Sequence, residues 1–146
     1  MGQMSRLTRQ YSTDPMIYGT ARHIVASVPE KAWRREVDAL FYFVRDTIRY
    51  TLDPHECEGL QTPVDTLLFK AGDCDDKAML LGALLISIGY PVEFVAVQVD
   101  NAPHYSHVFL RTLVNNAWVN LETTERWASG VISNRITGNP LILRVE

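Results

Sequence analysis

Cys74, His107 and Glu122 are the residues whose types and order could do nucleophilic chemistry. A carboxylate fixes the tautomer of an imidazole, the imidazole takes the proton of a thiol, and the thiolate attacks a carbonyl carbon. None of the three is diagnostic alone. A cysteine is often only a small buried side chain, a strand histidine is often only packed, and Glu122 alone reads as a strand-end acid. His104 competes with His107 for the role of base, and its odd spacing from His107 puts it on the opposite face of an extended segment. The chemistry also needs donors for a developing oxyanion. The backbone N–H of Cys74 is one, provided that Cys74 opens a helix. Gln61 and Tyr50 are the candidate side-chain donors, against plainer roles as a loop-to-helix hydrogen bonder and a core aromatic.

These residues need elements to position them, and the cysteine has the clearest one. Gly72 supplies a turn, Asp73 is a good N-cap, and Asp76 can close a capping box three residues later. Cys74 then falls at the first helical position, where unpaired N–H groups and the helix dipole favour a thiolate. Asp73, Asp75 and Asp76 are negative and work against that, so an ion pair with protonated His107 has to outweigh them. After Lys77 the helix is apolar almost all round, so Leu80, Leu81, Leu84, Leu85 and Ile88 should be buried, with Leu40, Phe41 and Val95 around them. Gly89 and Pro91 end it.

The histidine and the acid belong to a hairpin. Val92, Phe94, Val95, Val97 and Val99 read as a central strand, Tyr105–Val114 as the next and Ala117–Leu121 as a third, with a tight turn at Asn115-Asn116. That turn sets residue 107 across from residue 122 or its neighbour, within hydrogen-bond reach. Leu141–Val145 could be a short edge strand after a polar, turn-rich stretch. Before the cysteine, Asp14-Pro15 starts a helix, and Trp33, Val37, Leu40, Phe41, Val44 and Ile48 mark the apolar face of another. Arg34, Arg35, Asp38, Arg45 and Arg49 read as its solvated side. Thr62-Pro63 caps a short helix over about Pro63–Phe69. Helices first and antiparallel strands later indicate an α+β fold, with N-terminal helices and a buried cysteine-bearing helix packed on a small antiparallel sheet.

At the three chemical residues the sequence resembles the transglutaminase-like superfamily of papain-like cysteine enzymes. The cysteine motif is Gly72-Asp73-Cys74-Asp75-Asp76, and its helix closes at Ile88-Gly89-Tyr90-Pro91. The histidine motif is His107-Val108-Phe109-Leu110, and the acid motif is Trp118-Val119-Asn120-Leu121-Glu122-Thr123-Thr124. The likeness runs from about Val44 to Thr124 and is carried by the joint match. It implies a papain-like core with Cys74 as nucleophile, His107 rather than His104 as base, and Glu122 as the orienting acid. Glu122 departs from the family's usual Asp by one methylene, while Thr124 keeps the usual Thr. The Leu60-Gln61-Thr62-Pro63 step and the Asp53-Pro54 loop look like small members from bacteriophages and prophages. The implied activity is a cysteine hydrolase, a protease or amidase that cleaves peptide or protein amide bonds through a Cys74 thioester. The alternatives are acyl transfer from glutamine to an amine, and a non-catalytic structural module of a phage particle. A redox thiol, with Cys57 resolving Cys74, would need the two sulfurs to meet.

Composition narrows the field. The chain has 146 residues, 47% apolar and 21% charged, which suits one domain over residues 1–146, with residues 1–13 as a loose polar arm. The net charge of −3 gives no reason to expect a nucleic-acid or anionic-membrane partner. Two cysteines do not make a disulfide framework, so a reducing, cytoplasmic setting is expected, or a phage particle. The polar start lacks a signal-peptide core, and no apolar run is long enough to span a bilayer. His55 and Cys57 are near neighbours but lack further ligands at metal-site spacing, so neither a metal nor a cofactor is expected.

Overall fold

Helix α5 (Cys74–Ser87) is the centre of the molecule, and the other elements are placed by what they bury against it. The computed structural model describes residues 2–52 and 60–145. In chain order, α1 (Gly2–Tyr11), α2 (Pro15–Val25) and α3 (Trp33–Thr47) precede a two-residue strand β1 (Arg49–Tyr50). Helix α4 (Pro63–Phe69) and strand β2 (Ala71–Gly72) lead into α5. Strands β3 (Val92–Val99), β4 (His107–Val114), β5 (Ala117–Leu121) and β6 (Ile136–Arg144) follow. The fold is α+β. The antiparallel sheet has the order β5-β4-β3-β6, and β1 and β2 form a separate parallel pair.

Local chemistry explains most of these starts and stops. Asp14 accepts the amide of Met16 ahead of Pro15, and Thr62 accepts that of Asp65 ahead of Pro63. Asp73 and Asp76 form a reciprocal capping box at the start of α5. Asn115 and Asn116 both have positive φ, 53° and 63°, as a primed two-residue turn requires. Gly89 takes φ of 101° just beyond α5.

Leu80, Leu81, Leu84 and Leu85 have no exposed surface, and neither do Leu40 and Phe41 of α3. Ile88 is only half-buried, because it caps the helix end. Strand β3 alternates: Val92 and Phe94 join the α5 cluster, whereas Val95 and Val97 form a second cluster with Phe109. Val95 therefore does not surround α5 as expected; the two-residue period of a strand sends it to the other face.

Three further expectations change. Residues 2–11 form a helix rather than a loose arm. Met4 and Thr8, one turn apart, are buried against α5, where Gly82 lets them approach; a Cβ at Gly82 would lie 3.1 Å from Thr8 Cγ2. Trp33 at the start of α3 is half exposed and not on the core stripe. The last strand starts at Ile136, not Leu141, because backbone pairing to β3 continues past a register shift between Ala96 and Gln98. Within that irregular stretch Gly138 takes φ of 68° and Pro140 follows. Among the described residues no helix is long and apolar enough to cross a membrane.

Candidate active site

The β1·β2 pair brings the two flanks of the site together. Arg49 and Tyr50 pair with Ala71 and Gly72, immediately before the cysteine helix. Cys74 occupies the first position of α5, under the Asp73–Asp76 capping box. Its thiol lies 3.7 Å from Asp75 Oδ1. Cys74, Asp75, Tyr105 and His107 line one pocket of about 210 Å³.

His107 opens β4, opposite Val97 of β3. Its Nε2 is 2.6 Å from Glu122 Oε2, which leaves Nδ1 as the nitrogen for the thiol's proton. Glu122 is almost fully buried. Its other oxygen, Oε1, accepts the Thr124 amide at 3.2 Å and the Thr124 hydroxyl at 2.8 Å. The contact is diagonal rather than directly across the ladder. The last pair is Leu110 with Leu121, so Glu122 lies just beyond the end of β5 and reaches toward the start of β4. The glutamate's extra methylene suits that longer span.

The electrostatics favour a charged imidazole. Burial opposes the charge, but hydrogen bonding to Cys74 and Glu122 and their negative charges outweigh it, and the His107 pKa is pushed up to about 10. Burial, reinforced by the Asp73 charge, raises the pKa of Asp75, and the Cys74 contact pulls the other way. Burial and Asp73 also raise that of Asp76. Burial, then the neighbouring Cys74 and Asp73 charges, push Tyr50 up to about 12, so its hydroxyl keeps its proton. Tyr50 is 38% exposed at the mouth of the site.

Gln61 is turned away. Its Nε2 donates to Thr66 Oγ1 at 3.0 Å and to the Ala71 carbonyl at 2.8 Å, and its backbone N–H donates to Asp76 Oδ1 at 3.0 Å. Both amide protons are used in tying α4 to β2, so Gln61 is not the oxyanion donor considered from the sequence. His104 is exposed and precedes β4. His55 and Cys57 lie outside the described residues. Among the described residues no cluster of three or more His, Cys, Asp or Glu side chains is arranged to hold a metal ion.

Lys77 was not singled out by the sequence, and it is the least expected part of the site's support. It is 1% exposed, one turn along α5 from Cys74. Its ammonium donates to the Ile48 carbonyl at 2.7 Å and to the Arg45 carbonyl at 3.3 Å, at the end of α3. Burial lowers its pKa to about 8, against the opposing pull of Asp46 and Glu122. A lone lysine at the edge of an apolar run gives little sign of burial; the only hint is that four carbonyls at a helix end need donors.

The comparisons bear on the family and the fold. The profile of the transglutaminase-like superfamily matches residues 19–123. No curated protein sequence matches the chain. Among solved structures, a candidate protease from Parabacteroides distasonis superimposes with a TM-score of 0.65 at 13% identity, over 81% of this chain and 25% of the other. A candidate cysteine protease from Cytophaga hutchinsonii gives 0.63 at 16% identity, over 90% of this chain and 49% of the other. Calcium-bound LapG from Legionella pneumophila gives 0.63 at 16% identity, over 93% and 80%. The chain thus spans about a quarter and about half of the first two neighbours. At these identities the likeness is one of fold.

Proposed function

The chain belongs to the transglutaminase-like superfamily, and from that premise we propose that it is a cysteine hydrolase acting on peptide or protein amide bonds. The observation that supports this reading best is the His107–Glu122 contact of 2.6 Å beside a cysteine at a capped helix start. In the proposed reaction the Cys74 thiolate attacks the amide carbonyl carbon. The oxyanion is held by the Cys74 backbone N–H and the Tyr50 hydroxyl. His107 gives its proton to the departing amine as the C–N bond breaks, leaving a thioester on Cys74. Water then attacks the thioester and gives a proton to His107, and the C–S bond breaks to release a carboxylate and the thiol. Glu122 keeps the imidazole oriented and compensates its charge throughout, itself held by Thr124. Hydrolysis is favoured over transfer to an amine, which needs walls that shield the thioester from water.

The reading can be tested without a substrate. Iodoacetamide should alkylate Cys74 faster than Cys57 near neutral pH, because the charged His107 stabilises the attacking thiolate. His107→Ala should slow Cys74 alkylation by about tenfold or more at about pH 6–7. Glu122→Gln should slow it less, and His104→Ala should leave it unchanged. Rates for each cysteine come from mass spectrometry. Alkylation of Cys74 that is indifferent to His107 would overturn the enzyme reading and favour a non-catalytic module.

A further inference from the structure

Beside the imidazole, on the side of Glu122 and Tyr50, lies a second and larger cleft of about 500 Å³. Its walls join the apolar side chains of Tyr50, Val99, Trp127, Val131 and Ile132 to a polar margin that includes Thr124, Ser133 and Asn134. Tyr50, Val131 and Ile132 are 38%, 46% and 37% exposed, so apolar side chains from two separate chain segments leave surface to water at one concave place. Apolar surface converging in a cleft, rather than scattered singly, marks a binding site. The volume lies within the range of small-ligand pockets, about 300–1,000 Å³, and is ample for one or two side chains.

The far wall is held in place from below. Arg45 donates to the Trp127 carbonyl at 2.9 Å, and Arg34 to Ser129 Oγ at 2.9 Å. The Gly130 amide donates to the Asn120 carbonyl at 2.8 Å. The loop that carries Val131 and Ile132 is therefore tied to α3 and β5 and presents a formed surface. Glu125 adds a carboxylate at the cleft, whereas Arg135 is paired with Asp100. His107 lines both this cleft and the Cys74 pocket, so the two adjoin at the imidazole.

We infer that this cleft is the specificity subsite of the enzyme, and that it takes the uncharged side chain of an aromatic or branched aliphatic residue adjoining the scissile amide. The inference rests on the hydrolase reading above and adds its substrate class. An acidic side chain is disfavoured by Glu125, and a small one leaves the apolar walls wet.

Three alkylating reagents test it on the intact chain: iodoacetamide, its N-phenethyl derivative and its N-carboxyethyl derivative. Each rate with Cys74 is divided by the rate of the same reagent with glutathione. The phenethyl reagent should gain about tenfold or more over iodoacetamide and show saturation, since burying one aromatic group is worth at least that factor. The carboxyethyl reagent should show no gain. Ile132→Asp should bring the phenethyl gain down toward one, and Val131→Ser should reduce it. Tyr18→Ser, at an exposed apolar position on α2, should keep it. Equal normalised rates for the three reagents, with fast iodoacetamide labelling, would overturn the subsite and leave the hydrolase reading standing. A Cys74 that no reagent labels faster than glutathione would overturn both.

Discussion

The imidazole–carboxylate contact has a consequence for stability as well as chemistry. The His107 pKa stands at about 10 in the folded chain against an ordinary 6.5. A raised value means that the folded state holds its proton longer, so the stabilisation is complete below the ordinary value and is lost as pH rises through the folded one. In urea melts, the stability gap between the natural chain and His107→Gln should be widest at about pH 6 and close by about pH 10. A gap that is flat over that window would mean that His107 is neutral in the fold. The elements that carry the candidate residues were legible because each has local company: a capping box for Cys74, a hairpin for His107 and Glu122. Gln61 was misleading because an amide suits an oxyanion and a loop equally well, and only the positions of Thr66 and Ala71 decide between them. The diagonal reach of Glu122 was not legible either, since a turn fixes register but not where the ladder stops.

At the scale of elements, caps and prolines were readable and tertiary anchors were not. Asp14, Thr62 and Asp73 act within their own turn, so their sequence neighbourhood is their whole environment. Helix α1 is the opposite case. Its sequence is polar on most sides, and only burial of Met4 and Thr8 against α5 makes it a helix in place. Strand β6 begins in Ile136-Thr137-Gly138-Asn139, which reads as a turn until β3 lies beside it. Lys77 joins two elements, since its ammonium closes the carbonyl end of α3 from within α5. Its folded pKa of about 8 lies below the ordinary 10.5, so the unfolded chain binds more protons between them. Stability from this group therefore rises with pH across that window, the reverse of His107. Lys77→Met should lack this rise, which urea melts at about pH 7.5 and about pH 10 would detect as a change in the difference between the two proteins. Parallel slopes would mean that the ammonium reaches water.

At the scale of the whole molecule, helix α1 covers α5 where Gly82 leaves space, and there Thr8 Oγ1 is fully buried without a hydrogen-bond partner among the described residues. A buried hydroxyl without a partner costs about 1–3 kcal/mol, and valine has nearly the same shape. Thr8→Val should therefore stabilise the chain by about 1 kcal/mol, seen as a higher urea midpoint with an unchanged slope. A lower midpoint would show that the hydroxyl has a partner. The open margins of the sheet carry a different consequence. A strand at a margin offers unpaired amides and carbonyls on which another copy can add itself, and β6 shows Leu141 and Ile142 beside that row, 43% and 40% exposed. Pro140 removes one amide from the row, and the register shift with its left-handed Gly138 breaks the line of the rest. The opposite margin, β5, is only five residues long. One margin is thus interrupted and the other short, and both features work against the addition of a further strand.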